Sequence, residues 1–221
     1  MNNKLLRLSF QVSIFFQIIT GIVSMYGFFI PLAENDYVLY DVLKIESLVQ
    51  IIEGMWYFTL YYFLNQIKTN TIASKRYTDW YITTPIMLLS TAIYMEYKHG
   101  KFLTTKEILK EYRYSFLRLF LFNFLMLYFG YQYEINQKTN NLYTGFLFFF
   151  LSFYELWNTF AKKTIDGQNL FTFIFIVWFL YGIAAMYPTI QKNIFYNILD
   201  VVSKNFYGIF ILYKIQQAEL K

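Results

Sequence analysis

Long runs of apolar and aromatic positions alternate along this chain with short polar breaks. Seven of these runs approach or exceed the roughly 20 residues that a helix needs to cross a bilayer's hydrocarbon. They lie at about 9–30, 42–65, 77–97, 113–131, 142–160, 168–187 and 193–214. Backbone groups inside lipid must find partners within the protein, so such runs are read as helices. A barrel strand would show residue-by-residue alternation, and Phe146–Leu151 (Phe-Leu-Phe-Phe-Phe-Leu) shows none. Seven spans leave six short loops and two brief ends. The expectation is an all-α membrane protein, with residues 1–221 forming one seven-transmembrane-helix bundle. Lys4 and Arg7 precede the first run as they would in a signal peptide, but the run is too long and no small-residue cleavage site follows. It is read as a permanent helix that Pro31 ends.

Composition agrees with this pattern. Hydrophobic residues make up 57%, aromatics 24% and charged residues 15%, against about 25% charged in soluble domains. Too little charge remains to cover a water-exposed surface, which excludes a soluble enzyme, a disordered chain and a typical nucleic-acid binder. The net charge of +5 is therefore read through membrane topology. With no cysteine there is no disulfide framework, thiolate zinc site or cysteine nucleophile, and the single histidine, His99, excludes a multi-histidine metal site. If the N-terminus is outside, the cytoplasmic segments carry Lys98, Lys101, Lys106, Lys110, Arg113, Lys162, Lys163, Lys214 and Lys221. The outer ones carry Lys4, Arg7, Lys68, Lys75, Lys138 and Lys192, and nine against six favours that orientation, with the C-terminus cytoplasmic.

Ionisable residues inside spans are costly and mark function. Asp200 and Lys204 lie four apart on one face of the last span, with Lys204 too deep to snorkel. They are either a structural ion pair or an amine kept available to condense with an aldehyde, with a carboxylate as counter-ion. In the third span Arg76, Asp79 and Thr83 share a face and Ser90 returns to it, while Pro85 should bend the helix. Glu46, Gln50, Glu53 and Tyr57 form a stripe on the second span, readable as packing glue or an oligomer contact, or as lining water on a proton route or an ion pathway. His99 is expected in a solvated loop. Arg118 and Asn123 are expected to face neighbouring helices or to snorkel, and Glu155 and Asn158 to lie near an inner helix end. The aromatic abundance is read as mostly lipid-facing bulk.

Arg76-Tyr77-x-Asp79-Trp80-x-x-Thr83-Thr84-Pro85 resembles the third-helix signature of microbial (type 1) rhodopsins, and Asp200-x-x-x-Lys204 resembles their retinal-binding seventh helix. Trp178-x-x-Tyr181 is similar to the aromatic pair that sandwiches retinal, and the Asp79, Thr83, Ser90 triplet is similar to that of viral rhodopsins. The resemblance implies a bacteriorhodopsin-like fold and all-trans-retinal bound covalently to Lys204. It implies Asp79 as primary proton acceptor, hydrogen-bonded to Thr83, with Asp200 as second counter-ion and Arg76 as outer gate. Trp80, Thr84, Trp178 and Tyr181 would bind the chromophore, and a ring-like homo-oligomer in the lipid bilayer is expected. The chain departs from the family's pumps at Ser90, where a carboxylate often serves as proton donor, and at Gly182, where proline is common. The outer segment before the last span has Lys192 and Asn193 but no glutamate. The activity implied is light-driven outward proton pumping, with a light-gated cation channel second and a sensory photoreceptor third; none is an enzyme.

Overall fold

The computed structural model describes residues 2–101 and 104–219; Lys221, among the inner charges, lies outside them. Seven helical rods stand in the predicted order and form an all-α seven-transmembrane-helix bundle. The first three are α1 (Asn2–Met25), α2 (Tyr37–Tyr62) and α3 (Ile72–His99). A short α4 (Thr105–Glu111) occupies the next loop, its first turn closed by reciprocal bonds between Thr104 and Glu107. Then follow α5 (Arg113–Asn136), α6 (Thr139–Thr159) and α7 (Ile165–Ala184). The seventh rod is α8 (Thr189–Asp200) and α9 (Phe206–Ala218), joined without a break by a π-helical turn at Val201–Asn205.

By length and hydropathy alone, three stretches among the described residues, Lys4–Phe29, Arg113–Asn136 and Ile165–Ala184, are apolar enough to cross a membrane. Rods α2, α3 and the last one bury polar side chains in the bundle's interior. Burial shows which rod is central. In α3, 17 of 28 residues are buried, against 4 of 24 in α5, so α3 runs through the middle and α5 lies at the lipid edge. Leu32 pairs with Glu219 across a single antiparallel bridge, which places the first loop and the end of the last rod at the same end of the bundle, as seven alternating spans require.

Several local expectations are corrected. Pro31 does not itself end α1; the helix tightens into a 3₁₀ turn at Tyr26–Phe29, where Gly27 lets Leu43 and Leu212 approach closely. Pro85 leaves α3 unbroken, and the Thr83 and Thr84 hydroxyls donate back to the Asp79 and Trp80 carbonyl oxygens at 3.1 and 2.8 Å. His99 is the last residue of α3, not a loop residue, with Nδ1 3.8 Å from Glu96. Among the described residues more aromatics are exposed than buried, in keeping with their reading as outward-facing bulk, while an inner set packs helix to helix. Phe149 and Phe153, with ring centroids 4.5 Å apart, interleave with Phe171, Phe175 and Phe179 and fasten α6 to α7.

The fourth rod runs to Asn136, about five residues beyond the predicted end. That extra turn carries Glu134, whose carboxylate takes both bonds from Lys192 Nζ, at 3.0 and 2.9 Å, and a third from the Tyr196 hydroxyl at 3.3 Å. Lys192 and Asn193 therefore belong to α8 and not to an outer loop. Lys192 and Glu134 are only 6% and 4% exposed, so each is costly without the other. Lys192→Met should lower bundle stability by about 3–5 kcal/mol, and adding Glu134→Gln should recover much of that loss. Thermal unfolding of the two variants in detergent measures both effects.

Candidate functional site

The deepest polar cluster is built by three rods that meet halfway along the bundle. From the π turn, Lys204 points into the interior at 2% exposure, with Nζ 3.0 Å from Asp79 Oδ2, 3.4 Å from Asp200 Oδ1 and 3.4 Å from Glu53 Oε1. Within the turn Phe206 N–H bonds to Val201 O, one residue further back than in an α-helix. Such a bulge widens the helix locally and re-aims the side chains that it carries. Oδ1 of Asp79 and both oxygens of Glu53 accept no hydrogen bond from the described residues. The Thr83 hydroxyl reaches the main-chain carbonyl of Asp79 and not its carboxylate.

Arg76, 1% exposed, closes the cluster towards one end of the bundle. It donates to the Tyr57 hydroxyl at 2.9 Å, to Asp200 Oδ2 at 3.1 Å and to Asn193 Oδ1 at 3.4 Å, and also to Asn197 Oδ1. Its guanidinium lies 5.2 Å from the Phe10 ring centre. Asp200 in turn accepts from Tyr57 at 2.6 Å and from Tyr181 at 2.7 Å. Two cations thus face three carboxylates in an apolar interior. Full ionisation would leave one negative charge without a partner, a costly state in a medium that solvates ions poorly. The arrangement is suited to holding a mobile proton.

Beside the cluster opens a largely apolar cavity walled by Trp80, Thr84, Met87, Phe149, Trp178 and Tyr181, with Lys204 and Asp200 also on its lining. The Trp80 ring meets Tyr181 and Tyr196 edge-on, at 5.4 and 5.0 Å. Asn123 donates to Thr84 Oγ1 at 2.9 Å, which answers where its side chain faces. At Gly182 a Cβ would stand 2.5 Å from the Phe146 ring, so glycine there makes room for that ring.

Eight of the ten residues singled out in the sequence (Arg76, Asp79, Trp80, Thr84, Trp178, Tyr181, Asp200 and Lys204) converge on this cluster or its cavity, while Thr83 stays one turn along α3, on the main-chain carbonyl of Asp79. Ser90 lies apart. It is fully buried further along α3, where its hydroxyl donates to Glu46 of α2. The stripe on α2 therefore turns inward and meets α3 at three levels: Glu46 at Ser90, Glu53 beside the Lys204–Asp79 pair, and Tyr57 at Arg76. Sequence reasoning left Glu53 and Tyr57 without a partner and overlooked Asn197. Asn193, Asn197, Asp200 and Lys204 are spaced by four, three and four residues, so helical periodicity could have added Asn197 to the polar face. Of the outlying residues, Arg118 makes a two-pronged pair with Glu155 at 2.8 and 3.1 Å, and Asn158 accepts from Lys162 at 2.7 Å.

Residues 8–218 match the family model described as bacteriorhodopsin-like protein. A comparison by sequence with curated proteins finds no match. Among solved structures, that of viral rhodopsin OLPVRII superimposes with a TM-score of 0.86 at 27% identity, covering 96% of this chain and 98% of that one. Halorhodopsin, a light-driven chloride pump, superimposes at 0.75 with 15% identity over 98% of both chains. The light-driven proton pump Coccomyxa subellipsoidea rhodopsin CsR does so at 0.69 with 16% identity, over 95% of this chain and 96% of that one. At the two lower identities the likeness is one of fold alone.

The geometry around Arg76 makes a direct prediction. Arg76→Leu leaves Asp200 with Lys204, which it shares with Asp79 and Glu53, as its remaining cation and should cost about 3–5 kcal/mol. Arg76→Lys should restore only part of this, since an ammonium cannot serve four separated acceptors with the reach of a guanidinium fork. Thermal melts of the two variants against the parent chain read the difference.

Proposed function

We propose, from the premise that this chain belongs to the bacteriorhodopsin-like family and is a microbial rhodopsin resembling the viral group, that it is a retinal-binding, light-driven outward proton pump. The observation that carries this reading is the Lys204 amine, buried among carboxylates at the edge of an apolar, aromatic-walled cavity. A greasy conjugated aldehyde fits that donor set: the cavity walls suit its chain, and the amine suits its carbonyl carbon. Lys204 Nζ would hold retinal covalently, and the group would supply light absorption and a change of shape next to that nitrogen. Trp80, Thr84, Trp178 and Tyr181 would bound the chromophore.

The protein's own residues then move the proton. Asp79 Oδ2 lies within hydrogen-bond reach of Nζ and has a vacant second oxygen, which makes it the acceptor. Asp200 is engaged by Arg76, Tyr57 and Tyr181, so it holds charge in place rather than receiving the proton. The positive excess in the assigned inner loops orients Arg76 towards the outside and Ser90 towards the cytoplasm. Serine cannot serve as an acid at the inner side. The carboxyl that it lacks is supplied by its bonded partner Glu46, which we assign as the group that refills Nζ. Each proton moved against 100 mV costs about 2.3 kcal/mol, so a passage open at both ends would dissipate the gradient. Arg76, saturated by four acceptors, is the barrier on the outer side.

A light-gated cation channel is the second reading, favoured by the polar column of Glu46, Gln50 and Glu53 along α2. Photocurrent against voltage in reconstituted membranes separates the two. A pump keeps one current direction at every potential tested, whereas a channel's current reverses. Illuminated cells should acidify their medium, and a protonophore or Asp79→Asn should abolish the effect. Lys204→Ala should yield a colourless protein with retinal; a fully coloured one overturns the reading.

A further inference from the structure

The segments Gln17-Ile-Ile-Thr-Gly21 of α1 and Gln50-Ile-Ile-Glu-Gly54 of α2 share one pattern, glutamine followed four residues later by glycine. The two rods run in opposite directions, so the patterns meet head to tail. A Cβ on Gly54 would touch Gln17 Oε1 at 3.7 Å, and one on Gly21 would touch Gln50 Oε1 at 3.5 Å. Each amide therefore lies over the other helix's glycine. Gln17 and Gln50 are 5% and 6% exposed, and neither side-chain amide has a hydrogen-bond partner among the described residues. The same is true of Ser24 Oγ, of both amide atoms of Asn205, next to Lys204, and of Glu46 Oε2 and both Glu53 oxygens. Gly208 of α9 brings three of these segments together, since a Cβ there would stand 2.0 Å from Gln50 Nε2 and 3.0 Å from Ser24 Oγ.

A buried amide without a partner costs several kcal/mol in a membrane interior, where it finds no solvent. Natural interiors answer such clusters with ordered water, which needs polar walls and two to four bonding groups. The seam between α1, α2 and α9 supplies both. Gln50 lies one turn from Glu46 and about one turn from Glu53 on α2, while Glu53 Oε1 lies 3.4 Å from Lys204 Nζ.

We propose that this seam is a permanently hydrated proton-return path. It rests on the pump reading for its direction. Glu46 gives up its proton to water held by Gln17, Gln50 and Ser24, the proton arrives on Glu53, and Glu53 passes it to Lys204 Nζ. Glu46 then regains a proton from the cytoplasmic side, so each carrier ends as it began. The return path is thereby displaced to the first and second rods, away from the retinal cavity between α3, α5, α6 and α7. Neutral amides suit water better than a bare cation, because the Lys204 and Arg76 charges lie beside the far end of the seam.

Flash spectroscopy on the retinal-loaded protein tests this. Gln50→Leu, and separately Gly208→Ala, which pushes the Gln50 amide aside, should slow the reprotonation of Nζ about tenfold or more. Both should leave the absorption maximum in place, because neither residue lines the cavity. Gln17→Leu should act in the same direction, and Glu53→Gln should slow the return without preventing transfer to Asp79. A colour indistinguishable from the parent chain shows that a variant is folded; if Gln50→Leu does not hold pigment, Ser24→Ala and Gly208→Ala carry the test. Unchanged return rates in the coloured seam variants overturn the proposal. Slowed return in a protein that drives no net acidification would instead retain the seam and overturn the pump.

Discussion

A primary amine in the middle of a membrane protein, away from water, demands negative charge around it, and that charge in turn demands its own partners. In this protein the demand propagates from Lys204 to Asp79, Asp200 and Glu53, and from Asp200 to Arg76, Tyr57 and Tyr181. Arg76 extends it to Asn193 and Asn197 on α8. Side chains from α2, α3, α7, the π turn and α8 are therefore held in register by one connected set of bonds. Because each member is buried, removing one leaves another unsatisfied, so the network specifies the interior as well as stabilising it.

The same network gives the bundle a polarity. Arg76, Tyr57 and the two asparagines close one side of Lys204 with direct contacts. On the other side, Ser90 and Glu46 are accompanied by amides and hydroxyls that have no partner among the described residues. One half of the interior is thus tightly bonded and the other loosely bonded among the described residues, and that asymmetry is what the proposed one-way proton movement draws on. The cavity walled by Trp80, Trp178 and Tyr181 lies beside this divide, with Lys204 on its lining.

The end of the bundle that carries Lys192 shows how one helix turn alters a reading of chemistry. With the fourth span ended at about residue 131, Lys192 is a lone loop charge. With α5 continuing to Asn136, Glu134 comes within 3.0 Å of it, and Tyr196 joins both to the aromatic wall of the cavity. The lipid-facing stretch of α5 gave no signal for the extra turn, since polarity rises there before the helix ends.

The seven spans, their order and the central residues on α3 and on the last rod were legible in the sequence. Charges inside apolar runs are rare enough to stand out, and helical periodicity puts Arg76, Asp79 and Thr83, or Asp200 and Lys204, on common faces. Partners on different rods were not legible, because periodicity states which face a residue occupies but not which rod that face meets. Only the packed bundle brings Glu53 to Lys204, Glu46 to Ser90, Tyr57 to Arg76 and Glu134 to Lys192. Lateral packing of helices in lipid is set by the fit of small and large side chains and by the pairing of buried polar groups, and both are properties of the whole bundle, not of any one span.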